Sequence, residues 1–480
     1  MNFSKPLIKV VLLALISFIA APIQGFAQSS PHVLTLEDCL RTALKKATSV
    51  QTAENSLKLT GAQVLRSYGR FLPTVSANAG YTLYSSTNTL QQTAITQVLP
   101  SGDTLNGIST SLYGTTRRGA NFGITSSLNI FNGLADIGSL NQSLNNEDAA
   151  KFSLQRAKEQ IALDIAQAYL QVLLNQELLR ISKENLTSSS DRLRQISEQT
   201  KLGSKAIADR YQQEAQVGSD ELSVINAENT LRNSKLALLR RLRIDPSGEY
   251  EFTVPEADTV LLGREYQDET LLIKSALEKR VDLKSAEHSM EAQDWGVTQA
   301  WSGYYPSLDF NFNFSSSGVL IDKQTINGIE RATPDLPSLW KQLSDQTNTS
   351  LSLNLNWSIF DGFLTNLNIQ QAKVSYQNSK LNYEDLKLQV ITEVKQAIGD
   401  YNAGVKQLES TERGLISSQK AFETVQERYQ VGSATFVELA AARALLVQAQ
   451  SSRAQATYNF TFQKKVLSFY LGNISVDSYQ

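Results

Sequence analysis

Apolar and polar side chains alternate strictly through "SLSLNLNWSIF" at residues 350–360. Leu351, Leu353, Leu355, Trp357 and Ile359 fall on one side, and Ser350, Ser352, Asn354, Asn356 and Ser358 on the other. A period of two predicts a strand with one apolar and one polar face. Three more segments do the same. "PTVSANAGYTLY" (73–84) aligns Val75, Ala77, Ala79, Tyr81 and Leu83, and "NFGITSSLNIF" (121–131) aligns Phe122, Ile124, Leu128 and Ile130. In "PSLDFNFNFS" (306–315), Leu308, Phe310, Phe312 and Phe314 alternate with Asp309, Asn311 and Asn313. Each is near the length that crosses a bilayer at a tilt, roughly 9–11 residues. Residues 85–118 and 316–349 read as polar loops between them.

A second pattern follows each strand pair. Ile165, Val172, Leu179, Leu186, Leu193 and Thr200 recur at spacing seven, as do Val394, Tyr401, Leu408, Leu415, Phe422 and Tyr429. Sustained heptads predict long helices packed as a coiled coil. From Phe131 to Gly203 there is no proline, so the helix has room to reach about 108 Å at 1.5 Å per residue. Gly203 and Gly432 break the pattern where the chain must turn back, and helices over about 206–242 and 435–471 return.

The two ladders lie 229 positions apart, as do "IFNG" (130–133) and "IFDG" (359–362), and "LGS" (202–204) and "VGS" (431–433). Upstream, Ala43, Leu44, Ala53, Glu54, Ser56 and Pro73 recur 233 positions later at Ala276, Leu277, Ala286, Glu287, Ser289 and Pro306. The expectation is a tandem duplication: a first repeat over 28–243, a linker over 244–269, a second repeat over 270–472 and a tail over 473–480.

The start of the chain sets its address. Lys5 and Lys9 precede an apolar run from Val10 to Ala21, with small residues at Gly25 and Ala27, so residues 1–27 read as a signal peptide. Losing the two lysines moves the formal net charge from −2 to −4, a weak acidity that gives no case for nucleic acid. Cys39 is the only cysteine and can form no internal disulfide. After the signal no apolar run is long enough for a spanning helix, so entry into a membrane must be as a β-barrel. Phe71, Phe131, Tyr304, Tyr305 and Phe360 flank the strands on their helical side, in the manner of an interfacial aromatic belt. The apolar strand face is therefore expected to meet outer-membrane lipid, through Phe310, Phe312, Leu353, Leu355 and Trp357. Four strands cannot close a barrel, so the chain must associate. Two copies would supply eight strands and three would supply twelve.

The opening "LTLEDCLRTALKKA" (34–47), the paired "IFNG" and "IFDG" elements, and the tips "KLGSKAIADRYQQEAQ" and "YQVGSATFVELAAARALL" resemble the TolC-like outer-membrane efflux proteins. The resemblance covers nearly all of the chain beyond its signal. It implies a mixed fold: a transmembrane β-barrel completed by oligomerisation, four strands per chain, above a periplasmic α-helical coiled-coil barrel. It implies a homotrimer that exports passively, docked to a periplasmic adaptor protein and an inner-membrane transporter. The tips Gly203, Ser204, Gly432 and Ser433 would meet the adaptor. Asp209 and Tyr429 match positions that link neighbouring helix pairs and hold the periplasmic gate shut, and Glu438 matches a carboxylate ring at the constriction. Ala434 and Ala441 stand where the family often has an arginine and a second carboxylate.

An enzyme is not expected. His32 and His288 are the only histidines, so no histidine-based triad or metal site can be assembled, and no phosphate loop ending in Gly-Lys-Ser/Thr is present. The competing reading is an outer-membrane-anchored coiled-coil adhesin, which would have no need of a polar inner strand face. A type I secretion conduit shares every feature above, because the pump selects the cargo.

Overall fold

The computed structural model describes residues 32–253 and 268–473. The proposed signal peptide, residues 254–267 of the proposed linker, and residues 474–480 of the proposed tail lie outside the described residues. In order the elements are β1 (His32–Leu34), α1 (Leu36–Lys46), α2 (Thr48–Gly69), β2 (Thr74–Val98), β3 (Thr104–Asn132), α3 (Ala135–Lys201) and α4 (Ile207–Leu242). They continue with β4 (Tyr250–Phe252), α5 (Glu269–Lys279), α6 (Val281–Trp301), β5 (Ser307–Ile326), β6 (Ile329–Arg331), α7 (Leu339–Asp345), β7 (Thr347–Asn356), α8 (Leu364–Gln430) and α9 (Phe436–Tyr470). Both bounds of α1 recur 233 positions on in α5, and both bounds of α3 recur 229 positions on in α8.

The described residues divide into two compact units, one drawn from within Met1–Ala53, Gln155–Arg280 and Gln389–Gln480, the other from Glu54–Leu154 and Val281–Leu388. In the first unit the core is helical. Cys39, Ala43, Ile165, Tyr169, Val172, Leu238 and Leu242 pack with Phe252. The segment read as a linker contributes here, because Tyr250–Phe252 pairs in parallel with His32–Leu34. Tyr169 ties the two strands together, its hydroxyl donating to the carbonyls of Leu34 and Thr253. The Cys39 thiol is fully buried and pushed up to about 12 by that burial, so it packs as a small apolar group and is no nucleophile. Every rung of both heptad ladders is buried or half-buried, Ile165, Val172, Val394 and Tyr401 most completely.

The second unit holds the sheet, in the order β2-β3-β5-β7, with the short β6 also on β5. All pairings in it are antiparallel. Here two sequence expectations need correction. The segment 85–118 is no loop: β2 has 25 residues and β3 has 29, joined at a tight turn with Gly102 at φ 88°. The segment 316–349 holds the end of β5, then β6 and α7. Only β7, with 10 residues, has the expected length. The cause is that "STNTLQQTAITQV" places Thr and Gln on both faces, so strand propensity persists where apolar alternation ends. Asn327 and Gly328, at φ 52° and 81°, turn β5 into β6, the Asn-Gly geometry of a two-residue hairpin.

The "IFNG" and "IFDG" elements are the strand-to-helix corners. Gly133 and Leu134 have φ of 65° and 73°, and Gly362 and Phe363 have 68° and 69°. Asn132 Oδ1 accepts the amide of Asp136, and Asp361 Oδ2 accepts that of Thr365, so the residue before each glycine caps the helix. The surroundings of the two glycines differ. A Cβ at Gly133 would lie 2.7 Å from the Ser302 carbonyl oxygen and from the Tyr305 Cβ, whereas one at Gly362 would meet nothing within 4 Å. Gly362→Ala should therefore cost only the left-handed backbone strain, roughly 1–2 kcal/mol. Gly133→Ala should cost more. Equal melting temperatures for the two variants would contradict the predicted steric difference.

Candidate functional site

Antiparallel register decides which strand residues share a face. Phe310 pairs with Leu353, Leu308 with Leu355, and Phe312 with Leu351. Ile124 pairs with Phe314 and Leu128 with Phe310, while Ala77, Ala79 and Tyr81 pair with Ile124, Phe122 and Ala120. The apolar sets of all four long strands thus form one continuous face. The opposite face carries Thr74 against Ser127, Ser76 against Thr125, Asn129 against Asp309, and Ser352 against Asn311. Hydroxyl and amide side chains bond across it, as in the 2.6 Å pair of Ser76 with Thr125 and the 2.8 Å bond from Asn129 to Asp309.

Much of the apolar face is uncovered, with Val75, Leu83, Leu351, Leu353 and Leu355 all more than three-fifths exposed. A bare apolar patch of this size marks a contact surface. Two expected members depart from it. Ile130 sits at a bulge between Asn129 and Phe131 and is unpaired in the ladder. Trp357 lies beyond β7, where its indole N–H donates to the Tyr304 carbonyl. That bond places it among Trp301, Tyr304, Tyr305, Phe360 and Phe363, exposed aromatics gathered at the corners between strands and helices.

Gly203 and Gly432 end the long helices in the same way. Ser204 N–H donates to Gln199 O and Gly203 N–H to Thr200 O; Ser433 N–H donates to Arg428 O and Gly432 N–H to Tyr429 O. These are paired Schellman motifs, and the glycines take φ of 72° and 78°. Beside them Leu202 and Val431 are 83% and 80% exposed, apolar knobs at equivalent places in the two turns.

The three predicted gate residues are treated differently. Tyr429 is 7% exposed, with Lys205 Nζ 4.1 Å from its ring centroid and Phe436 edge-on. Its hydroxyl is buried and has no hydrogen-bond partner among the described residues. Asp209, in the first turn of α4, is half-buried, and no bond joins it to Tyr429 within the chain. Glu438 completes a capping box: its carboxylate accepts from Thr435 N and Oγ1, while its own N–H donates to Thr435 Oγ1. Those bonds hold its carboxyl below the usual glutamate range. Asp209 and Glu438 share the six-residue spacing from the tip glycines because each is the third residue of its helix, but only Glu438 caps, Ala206 at the first helix's N-cap offering no side-chain bond.

A polar cluster that the sequence reading missed lies nearby. Arg443 donates from Nε and Nη2 to Asn185, and Asn185 and Gln216 each donate 2.9 Å bonds to Asp220 Oδ1. Gln213 donates to the Ser189 carbonyl. Asp220 is 4% exposed and its Oδ2 has no partner among the described residues. Burial draws the Arg443 and Arg192 guanidinium groups below their ordinary range. The available signal was the stripe Gln213, Gln216, Asp220, polar residues at helical spacing on a packed face. Among the described residues no group of acidic, histidine or cysteine side chains could hold a metal ion, and no helix is long and apolar enough to cross a membrane.

Comparison with known proteins bears on what these surfaces serve. The outer membrane protein TolC of Vibrio cholerae is 24% identical over 338 residues, 68% of this chain and 73% of that one. TolC of Escherichia coli K12 is 22% identical over 325 residues, 67% of this chain and 63% of its own length. Among solved structures, the Campylobacter jejuni CmeC outer membrane channel superposes with a TM-score of 0.72 at 16% identity, over 92% of this chain and 88% of that one. At that identity the superposition establishes the fold. Residues 39–242 and 272–473 match the outer membrane efflux protein family, a match over most of the chain, and the protein belongs to that family and to the outer membrane.

Proposed function

We propose that this chain is one subunit of a passive outer-membrane export duct, working with an inner-membrane pump and a periplasmic adaptor. The sheet carries the reading: one continuous apolar face, a hydroxyl- and amide-rich opposite face, and outer edges on β2 and β7 that are unpaired among the described residues. Unpaired edges inside a bilayer are untenable. Pairing β7 of one copy with β2 of the next removes them and closes a barrel. Three copies give twelve strands, the number the family implies. Phe310, Phe312, Leu353 and Leu355 then face lipid, Trp357 joins the aromatic margin, and Ser76, Asn311 and Asn354 line water. The recurrence of helix bounds at two fixed offsets supports a tandem duplication as the origin of the chain. The exposed Leu202 and Val431 suit adaptor docking at Gly203, Ser204, Gly432 and Ser433. Mass measurement of the purified protein in detergent should give three chains. A monomer with its full strand signal would overturn the reading.

The gate belongs to the same proposal. The orphan hydroxyl of Tyr429 is a donor awaiting an acceptor, and Asp209 of an adjacent hairpin in the trimer supplies one. Tyr429→Phe keeps the ring contacts with Lys205 and Phe436 and removes only the latch. Single-channel conductance in planar bilayers should rise in Tyr429→Phe, and further with Asp209→Ala. Glu438→Gln keeps a capping-box side chain and removes the charge, so it should lower cation selectivity and weaken the helix start only in part. Because the folded-state pKa of Glu438 is depressed, its cap contribution is present above the unfolded glutamate pKa and is lost as pH falls through the lower folded value. Unchanged conductance and selectivity in all these variants would place the gate elsewhere.

A further inference from the structure

The polar cluster around Asp220 borders a cavity of about 290 Å³ between α3, α4 and α9. Three of the side chains lining it are charged, the guanidinium groups of Arg192 and Arg443 and the carboxylate of Asp220. The carboxylate is used on one side only. Its Oδ1 accepts 2.9 Å bonds from Asn185 and Gln216, both neutral, while Oδ2 is buried and has no partner among the described residues. A buried carboxylate oxygen without a donor carries a desolvation penalty, and a donor inside the cavity relieves it.

The two guanidinium groups do not fill that place. Arg443 uses Nε and Nη2 on Asn185, and its Nη1 makes no bond among the described residues. Arg192 is half-buried and makes neither an ion pair nor a hydrogen bond among them. Arg443 is attracted by Asp220 and repelled by Arg192, so two cations share one counter-ion. The pocket therefore lacks one negative charge and one acidic proton. A monoanion that also donates an O–H supplies both. Chloride brings charge without a proton, and sulfate is a proton-free dianion. A phosphate monoester is largely a proton-free dianion in neutral solution too, its second pKa being about 6. Inorganic phosphate keeps at least one proton throughout the neutral range. Hydrogencarbonate has the proton as well, but its three oxygens in one plane offer fewer acceptors to two guanidinium forks than the four of a phosphate.

We propose that Arg192, Arg443 and Asp220 form a binding site for inorganic phosphate, the guanidinium groups holding its oxygens and Asp220 Oδ2 accepting a hydrogen bond from its P–O–H. The bound ion ties α3, α4 and α9 together, and so one helical hairpin to the other. Isothermal titration of the purified full-length protein in detergent, in phosphate-free buffer near neutral pH, tests this with inorganic phosphate as the probe. The expected result is one phosphate per chain. Sulfate and glycerol 3-phosphate should each bind roughly tenfold or more weakly, the worth of one hydrogen bond to a charged group. Arg192→Gln gives up no bond seen among the described residues, so it should melt with the parent in phosphate-free buffer and lose the binding. Asp220→Asn should narrow the preference for phosphate over sulfate, because an amide can turn its N–H towards a proton-free oxyanion. Equal binding of phosphate and sulfate would reduce the pocket to general anion attraction and overturn the site. Tighter binding of hydrogencarbonate than of phosphate, phosphate binding retained in Arg192→Gln, or no binding in the parent would do the same. Should Asp220→Asn fail to fold, Arg192→Gln and the sulfate comparison still decide.

Discussion

Exchanging Glu393 for Leu should lower the stability of the helical unit by up to about 3 kcal/mol, the low end of the cost of breaking a buried ion pair from one side, because only Arg280 of the pair is fully buried. Arg280 caps the C-terminus of α5 and is 2% exposed. Its Nη1 donates to Glu393 Oε2 at 2.5 Å, and the other carboxylate oxygen accepts from Gln389 at 2.8 Å. The Tyr470 ring lies 5.7 Å from the guanidinium carbon, so this one cation joins the end of α5 to α8 and to the end of α9. Loss of the carboxylate takes one charged acceptor away from a desolvated guanidinium. Joining Glu393→Leu to Arg280→Met should recover most of the loss, because the double variant removes both desolvation costs. Thermal melts followed by helical circular dichroism should therefore rank the double variant above Glu393→Leu. If the single variant melts with the parent, other contacts of Arg280 carry the charge and the pair is dispensable.

No spacing rule could have found that pair. Its members are 113 positions apart, and the places 233 and 229 positions upstream hold Ala47 and Asp164. The strands in the apolar band were legible because water on one face and an apolar contact on the other impose a strict alternation on residues such as Phe310, Asn311 and Phe312. Past Tyr84 that pressure stops, and the rest of the hairpin reads as loop although Thr, Gln and Ile continue in extended pairing to Val98. The heptads gave the long helices nearly to the residue, since every rung had to be kept from water. Some local signals were present but were read for another purpose. Thr435-x-x-Glu438 is a capping box in the sequence itself, and Asn327-Gly328 is a hairpin turn. The orphan hydroxyl of Tyr429 could come only from coordinates, because a heptad position says that a ring is buried and nothing of where its oxygen ends.

Leu353→Arg should be the most damaging single change in the sheet that leaves the backbone untouched. Leu353 is 62% exposed in the single chain and stands opposite Phe310 on the apolar face. If that face meets lipid, a guanidinium near the bilayer midplane costs about 2–4 kcal/mol, and the proposed trimer would carry that cost three times. The neighbouring Asn354 is the control. It sits one residue along the same strand and pairs with Asp309 on the hydroxyl- and amide-rich face, so Asn354→Arg adds the same charge and volume on the side proposed to line water. It should assemble normally and shift the pore towards anions, because positive charge in a confined lumen repels cations. The two variants differ in little except which way the pleat points. Trimer yield after membrane extraction, read beside conductance and selectivity, distinguishes them. Equal yields, or a selectivity change from Leu353→Arg in place of Asn354→Arg, would mean that the assignment of faces is inverted.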